Sequence, residues 1–209
     1  MKLHYFDIYA RAEPIRFLLS HAKVEYEDVL VPGWDLSELR AQGKLEFNQV
    51  PVLEKDGKFL SQSWAILRYL GRTYGYYPES SPETAYTIDS TIDAIEDFLT
   101  AFFRFNFEPN ADKKAVYKEN LLKMVPIWVA AIEKRLEKST GKYIAGDKIT
   151  IADFALAAVA FDNLLNEANP LYAETLPFIK DHETLKKYSA GLKEELGSYL
   201  ASRPSPRMC

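Results

Sequence analysis

The chain has 209 residues, of which 30 are acidic and 26 are basic, giving a formal charge of −4 at pH 7. Hydrophobic residues make up 47% of it, which is enough for a sizeable core and too many for a disordered chain. The acidic balance argues against nucleic acid and membrane surfaces as partners, and the longest apolar run, residues 154–161, is far shorter than the roughly 18 residues of a membrane span.

Residues 1–76 predict a small α/β domain. Proline suits the first turn of a helix, where its missing N–H would be unpaired anyway, so we expect a helix to begin at Pro14. The Asp-Gly pair at 56–57 predicts the turn of a hairpin, and Ser63 is expected to cap the helix that follows. Residues 36–42 predict either a short helix or an irregular segment. Strands are predicted at residues 3–6, 26–31, 50–53 and 59–60.

Residues 77–82 predict a linker, because they contain two prolines and two serines. Beyond it the pattern predicts no strand, and residues 83–209 are expected to form an all-helical domain. The sequence from Thr150 to Asp153 is typical of a capping box at the start of one helix, and Pro126 is expected to kink another. Helical stripes cover residues 88–103, 116–136, 151–165, 176–188 and 192–200.

The reactive residues exclude several kinds of site. The single cysteine, Cys209, forms neither an intrachain disulfide nor a CxxC zinc or redox pair. The three histidines have no metal-ligand partner three or four residues away, and no phosphate-binding loop or serine-nucleophile motif is present. We therefore expect a protein that requires no metal and resides in a reducing, cytoplasmic setting, without a secretory signal.

Two segments are suited to binding a small peptide-like anion, and each has a purely structural alternative. If the bond before Pro51 is cis, Val50 turns its backbone outward, where an extended peptide can pair with it; otherwise Pro51 simply begins a strand. The helix start at Gln62-Ser63 attracts a carboxylate through its free N–H groups and partial positive charge. The alternative there is plain capping by Ser63.

A third candidate is Tyr5, at the end of the first predicted strand, with Arg11 six residues later. A phenol hydroxyl near a cation can donate a hydrogen bond to an anion, although a tyrosine in a strand more often only packs. Each of these three features is weak by itself.

Five segments follow one another in an order and spacing that extend over nearly the whole chain. They are Tyr5-Phe6 with R-A-E-P-I-R at 11–16, F-N-Q-V-P-V-L at 47–53, Q-S-W-A-I-L-R-Y-L at 62–70, E-D-F at 96–98 and T-I-A-D-F at 150–154. Together they resemble the tyrosine-type glutathione transferases. Within that family the chain looks most like the sigma class, which includes nematode-type enzymes and haematopoietic prostaglandin D synthase.

The resemblance implies a thioredoxin-like domain over residues 1–76, a linker at 77–82 and an all-α domain over 83–209. It implies a homodimer that uses glutathione as co-substrate and conjugates it to small hydrophobic electrophiles. Tyr5 would activate the thiol, with Arg11 as a nearby cation. The implied glutathione-binding residues are Tyr5, Trp34, Arg40, Gln49, Val50, Pro51, Gln62, Ser63 and Asp97.

Several of these roles are specific. Val50 would pair with the cysteinyl backbone, beside a cis Pro51. Asp97 would reach across the dimer to the γ-glutamyl ammonium of the neighbouring site. Arg40 is the candidate for the glycyl carboxylate, and Lys44 is its alternative.

The electrophile would lie against an apolar wall in which each member can equally be a core residue. Two other functions share the same family resemblance: a glutathione-dependent isomerase of the prostaglandin D synthase kind, and a non-catalytic ligand-binding protein. Glutaredoxin-like chemistry is disfavoured because no cysteine lies near the first helix. The residues implied for the wall are Phe6, Phe102, Phe103, Phe105 and Tyr199.

Overall fold

The computed structural model describes residues 1–78 and 81–204, so that Cys209 and part of the predicted linker lie outside the described residues. Its amino-terminal part is a four-stranded sheet in the order β2-β1-β3-β4. The strands are β1 (Lys2–Phe6), β2 (Glu27–Val31), β3 (Val52–Lys55) and β4 (Lys58–Ser61). The predicted order of two strands separated by a helix and followed by a hairpin is confirmed.

The sheet is mixed: β1 pairs parallel with β2 and antiparallel with β3, and β3 forms the hairpin with β4. The hairpin turn consists of Asp56 and Gly57, with φ of 52° and 73°. Such a left-handed pair matches the twist of the flanking strands, which explains why an Asp-Gly pair predicts this turn correctly.

Three helices accompany the sheet: α1 (Glu13–His21), α2 (Ser37–Ala41) and α3 (Ser63–Tyr74). Pro14 lies in the first turn of α1, as expected, and a 3-10 turn at Ala10–Ala12 precedes that helix. The capping role expected of Ser63 is wrong. Gln62, with φ of 70°, occupies the N-cap position of α3, and Ser63 is already the first helical residue.

The carboxyl-terminal part is helical, apart from an isolated bridge between Tyr143 and Gly146. The helix α5 continues through Pro126. The predicted division between the last two helices is wrong: the break falls at Leu196 rather than between 188 and 192. The helices are α4 (Pro82–Asn106), α5 (Ala111–Lys138), α6 (Ile151–Ala158), α7 (Tyr172–Thr175), α8 (Glu183–Glu195) and α9 (Gly197–Ser202).

The helix α6 is entirely buried and packs against α1, α3 and α4, which joins the two parts of the chain. The predicted capping box is confirmed: the Asp153 carboxylate accepts from the backbone N–H of Thr150 at 2.7 Å, and the Thr150 side chain takes part as well. A Cβ at Gly71 would lie 2.6 Å from Cγ2 of Ile151, so glycine is what permits this close approach of α3 to α6. No helix within the described ranges is long and apolar enough to cross a membrane.

Candidate active site

A cleft of about 280 Å³ lies between the segment that enters β3, the start of α3 and the middle of α4. All of its lining residues except Glu96 are among those that the sequence predicts for a binding site. The lining residues are Arg11, Gln49, Val50, Pro51, Gln62, Ser63 and Glu96.

One wall of the cleft is the segment that enters β3. The peptide bond between Val50 and Pro51 is cis, as the family resemblance implies. The register of β1 with β3 ends at the pair of His4 and Val52, so Val50 lies beyond the last paired residue of this ladder. An unpaired strand end of this kind can take up an extended peptide by adding backbone hydrogen bonds.

The opposite wall is the amino terminus of α3. The left-handed conformation of Gln62 turns the chain into the helix, and no side chain caps the first turn. The N–H groups of that turn therefore have no side-chain cap, and Gln62 and Ser63 line the cleft. A helix terminus of this kind favours a carboxylate. The two walls are linked, because the Gln62 amide donates to the Gln49 side chain at 3.4 Å.

Tyr5 lies beside this cleft at the end of β1, where it is only 4% exposed. Its hydroxyl oxygen accepts a hydrogen bond from the backbone N–H of Arg11 at 3.3 Å. Burial raises the pKa of the Tyr5 phenol, while the Arg11 N–H and the charges of Arg11 and Arg16 oppose that rise. The phenol is therefore protonated at neutral pH, and its own proton is available for donation to an anion.

The Arg11 guanidinium points to α4 and forms a two-point ion pair with Glu96, one of whose contacts is 2.8 Å. The Glu96 carboxylate also accepts from the Trp64 indole at 2.7 Å and from the Thr100 hydroxyl at 2.9 Å. Burial raises the pKa of Glu96, but its hydrogen bonds to Arg11 and Trp64 outweigh this, and the net pKa is lowered. No role for Glu96 is predicted from the sequence, because its pairing with Arg11 spans 85 residues.

Aromatic side chains extend from Tyr5 across the opening between the sheet and α4. Phe6 contacts Trp34 with ring centroids 4.4 Å apart, and Trp34 meets Phe107 edge-on at 5.6 Å. Phe107 in turn contacts Phe103 at 6.0 Å. Trp34 and Phe107 are half exposed, at 50% and 48%, so these rings present apolar surface to an incoming molecule. Phe107 immediately follows α4, beyond the predicted end of that helical stripe.

The other aromatics implied for the wall are less accessible. Phe102 and Phe105 are buried, and Phe102 stacks on Phe98 at 6.3 Å within the helical core. Tyr199 packs edge-on against Phe17 of α1 at 5.2 Å. Core packing, the alternative that the sequence leaves open, therefore describes these three residues better than contact with a ligand does.

The two candidate cations for a second carboxylate differ in their partners. Lys44 is neutralised by Glu54, whose carboxylate lies 3.0 Å from its ammonium. Arg40 is exposed, and its Nε donates to the Asn48 side chain at 2.8 Å. Asn48 immediately precedes Gln49, which lines the cleft. Asp97 is also exposed, on a different side of α4 from Glu96, and is not part of the cleft lining.

Comparison with known proteins identifies the family over most of the chain. The family model for the glutathione S-transferase N-terminal domain matches residues 1–72, and that for the C-terminal domain matches residues 96–203. The class-mu 28 kDa glutathione S-transferase isozyme of Schistosoma japonicum is 31% identical over 206 residues, 97% of this chain and 98% of its own length. The chain belongs to the glutathione S-transferase family.

Solved structures give the same result. The glutathione S-transferase from Ascaris lumbricoides superposes with a TM-score of 0.81 at 31% identity, covering 98% of each chain. A structure of prostaglandin synthase D of Nilaparvata lugens gives 0.80 at 27% identity, again covering 98% of each chain. The predicted fold class, a thioredoxin-like domain followed by an all-α domain, and the predicted enzyme class, a glutathione transferase, are both confirmed.

Proposed function

We propose that this glutathione transferase activates the thiol of bound glutathione through Tyr5 and conjugates it to hydrophobic electrophiles. The observation that carries the proposal is the position of the Tyr5 hydroxyl beside a cleft that joins an unpaired strand end to an uncapped helix terminus. Glutathione is an extended tripeptide with a carboxylate at each end and a thiol in the middle. Val50 and the start of α3 offer matching elements in the cleft lining, while Tyr5 and Arg40 lie outside that lining, next to it in the structure.

In this proposal the cysteinyl backbone pairs with Val50, and the γ-glutamyl carboxylate accepts from the amino terminus of α3 and the Ser63 hydroxyl. Gln49 and Gln62 contact the adjoining backbone. Arg40 binds the glycyl carboxylate, because Lys44 is already paired with Glu54. Trp34 lies beside the glycyl end, on the same side as Phe6.

The chemical step needs a thiolate. A free thiol has a pKa of about 8.5, so only a few per cent is ionised at neutral pH. Lowering that pKa by about two units takes roughly 2.7 kcal/mol of preferential stabilisation of the anion. A hydrogen bond to a charged group contributes about 1.5–3 kcal/mol, so the Tyr5 O–H can supply most of it. The Arg11 N–H strengthens that donation, because it withdraws charge from the same oxygen.

The thiolate then attacks an electrophile held against the aromatic surface of Phe6, Trp34, Phe103 and Phe107. No covalent intermediate with the enzyme is required, and catalysis consists of activating and positioning the sulfur. The half-exposed rings favour electrophiles with a flat apolar body.

The quaternary state belongs to the proposal as well. The carboxylate of Asp97 is exposed and can reach the γ-glutamyl ammonium in a neighbouring subunit, which makes a homodimer the active form. Sigma-class membership is supported by the sequence segments and by the similarity to prostaglandin synthase D of Nilaparvata lugens. The proposal includes a cytoplasmic location, which the single cysteine supports, and a role in detoxification, which the proposed substrate class supports.

The test is conjugation of glutathione to a generic aryl halide by the native protein and by Tyr5→Phe. At slightly acidic pH we expect kcat/KM to fall about tenfold or more, and the pKa of the bound thiol to rise by about one to two units. Tyr172→Phe, which removes a hydroxyl far along the chain, should leave both values unchanged. Equal thiol pKa values in native protein and Tyr5→Phe would contradict the mechanism. Tight glutathione binding without turnover would instead favour a ligand-binding protein.

A glutathione-dependent isomerase is the second candidate, and the match to a prostaglandin synthase D structure favours it. The isomerase would use the same thiolate on a lipid endoperoxide. Product analysis with the endoperoxide distinguishes the two functions, because formation of prostaglandin D above the solvent rate supports the isomerase and its absence excludes it.

A further inference from the structure

A buried charge network lies beneath the turn that supports Tyr5, and its last member comes from the carboxyl-terminal segment. The carboxylate of Glu13, which is fully buried at the start of α1, contacts two guanidiniums. Its Oε2 lies 3.1 Å from Arg16, and its Oε1 lies 2.9 Å from Arg203. The Nη1 atom of Arg203 makes this contact with Glu13 and also lies 2.9 Å from Asp162. Asp162 is a buried residue of the π-helical turn at Val159–Leu164.

These contacts clamp the segment between Phe6 and α1 from two sides. From α1, Arg16 donates to the backbone carbonyls of Ile8 and Tyr9 at 2.9 and 3.3 Å. From the carboxyl-terminal segment, the Arg203 guanidinium covers the Tyr9 ring at 4.1 Å. The Tyr9 hydroxyl donates to the carbonyl of Pro204 at 2.7 Å.

The clamped segment needs outside support, because its backbone is strained. Ala10, directly after Tyr9, has φ of 38°, a left-handed conformation that disfavours any side chain with a Cβ. The next residue is Arg11, whose N–H donates to the Tyr5 hydroxyl. A change in how Tyr9 is held is therefore transmitted over two residues to the atom that orients the Tyr5 hydroxyl.

We propose that Arg203 is a positioning residue for thiol activation: it holds Tyr9 and Glu13, and through them the turn whose Arg11 N–H orients Tyr5. This inference rests on the proposed role of Tyr5. It also assigns a function to the carboxyl-terminal segment, which lies 195 residues from Tyr9 in the sequence.

The cluster also explains why an arginine is needed at this place. Three carboxylates, those of Glu13, Asp28 and Asp162, meet two guanidiniums, and an unpaired charge is costly in a buried site. Burial and the neighbouring Glu13 raise the pKa of Asp162, and Arg203 opposes that rise. Besides these groups, the Tyr199 hydroxyl faces Glu13 from α9.

The experiment measures the pH dependence of kcat/KM for glutathione with an aryl halide in the native enzyme and in Arg203→Gln. Loss of the clamp should raise the apparent thiol pKa by about one unit and lower kcat/KM about tenfold on the acid side. The two profiles should converge at alkaline pH, and KM for glutathione should stay within about twofold, because the Val50 and Ser63 walls are not part of the network. Arg203→Lys should recover part of the loss, and Ser202→Ala should match the native enzyme.

A second variant separates this positioning role from a purely structural role of Arg203. The double variant Arg203→Gln with Asp162→Asn removes one buried charge of each sign, so it should regain stability towards urea. If Arg203 is a positioning residue, the double variant should nevertheless keep the raised thiol pKa. This inference alone would be overturned if Tyr5→Phe raises the thiol pKa while the single variant Arg203→Gln and the double variant both keep the native thiol pKa. A native thiol pKa in Tyr5→Phe would overturn the proposed mechanism, and this inference with it.

Discussion

The guanidinium of Arg11 is bound at two points by the carboxylate of Glu96, while the backbone N–H of the same arginine is bonded to the Tyr5 hydroxyl. In the proposed mechanism Arg11 therefore acts on the thiol in two ways. Its main chain orients the phenol, and its side-chain charge is largely offset by Glu96. The Arg11 guanidinium also lies 5.4 Å from the centre of the Phe103 ring, so it is held between the cleft and the aromatic surface.

Replacement of Glu96 by glutamine should expose the positive charge of Arg11 to the sulfur. The amide oxygen can still accept from Trp64 and from one nitrogen of Arg11, and the Thr100 hydroxyl can accept from the amide NH2. One of the two Arg11 contacts is therefore lost together with the negative charge. Because the pair is partly exposed, we expect the thiol pKa to fall by about half a unit, in line with the modest energies of such pairs. Absorbance titration of the bound thiolate measures this shift. A rise in the thiol pKa would contradict the charge argument, and Glu119→Gln on α5 serves as the control.

Phe107 should determine how well aromatic electrophiles bind. Phe107→Ala removes the ring that meets Trp34, and we expect KM for an aryl halide to rise about three- to tenfold, because aromatic pairs contribute about 0.5–1.5 kcal/mol. KM for glutathione should not change. Phe107→Leu keeps an apolar side chain without the ring, so comparing it with Phe107→Ala separates the effect of aromatic contact on KM from the effect of side-chain size. If both variants retain the native KM, the electrophile does not use this surface.

Asp153, the single polar residue of α6, should be a sensitive position for stability. Its carboxylate accepts from the N–H groups of Thr150 and Ile144 and from the Tyr188 hydroxyl at 2.5 Å. Asp153→Asn turns an acceptor into a donor that faces other donors in a buried site. We expect a loss of about 3 kcal/mol in the free energy of unfolding in urea, against little change for the exposed Asp147→Asn. A loss under about 1 kcal/mol would contradict this assignment.

The sequence predicts those parts of the site that depend on local structure. The strand start at Pro51, the helix start at Gln62-Ser63 and the strand position of Tyr5 each follow from a few neighbouring residues. The cis bond and the binding roles of these residues come from the family resemblance instead. The turn at 56–57 is predicted for the same reason. The Ser63 cap is wrong because Gln62, in a left-handed conformation that its residue type does not favour, takes the N-cap position instead.

Contacts between distant segments are what the sequence does not reveal. Glu96 joins Arg11 across 85 residues, and Arg203 joins Glu13 across 190. A charged residue in a helical pattern has the same local signature whether it faces solvent or a buried partner. Phe107 is similar, because its contact with Trp34 depends on how α4 lies against the sheet. The division of Phe102, Phe103 and Phe105 between core and surface depends on the same packing.

Protonation of Glu195 should account for a distinct part of the fall in the free energy of unfolding at acidic pH. Its carboxylate accepts from Lys142 at 2.7 Å, from Tyr143 at 3.0 Å and from His21 at 3.3 Å, so it ties α8 to α1 and to the loop before α6. The hydrogen bond from Lys142 is the main cause that lowers its pKa to about 2, against an ordinary value of 4.5, and burial opposes it.

The sign follows from proton linkage. Above about pH 4.5 the carboxylate is ionised in both the folded and the unfolded chain, so the full stabilisation is present. As the pH falls from about 4.5 towards 2, the unfolded chain takes up the proton first, and the stabilisation is lost. The difference in unfolding free energy between the native protein and Glu195→Gln should therefore be constant above about pH 5 and vanish near pH 2. Urea titrations at a fixed protein concentration test this, with the neighbouring exposed Glu194→Gln as control. A difference that persists unchanged to about pH 2 would contradict the role of Glu195. High salt should reduce the difference in unfolding free energy at every pH, because the Lys142 partner is largely exposed.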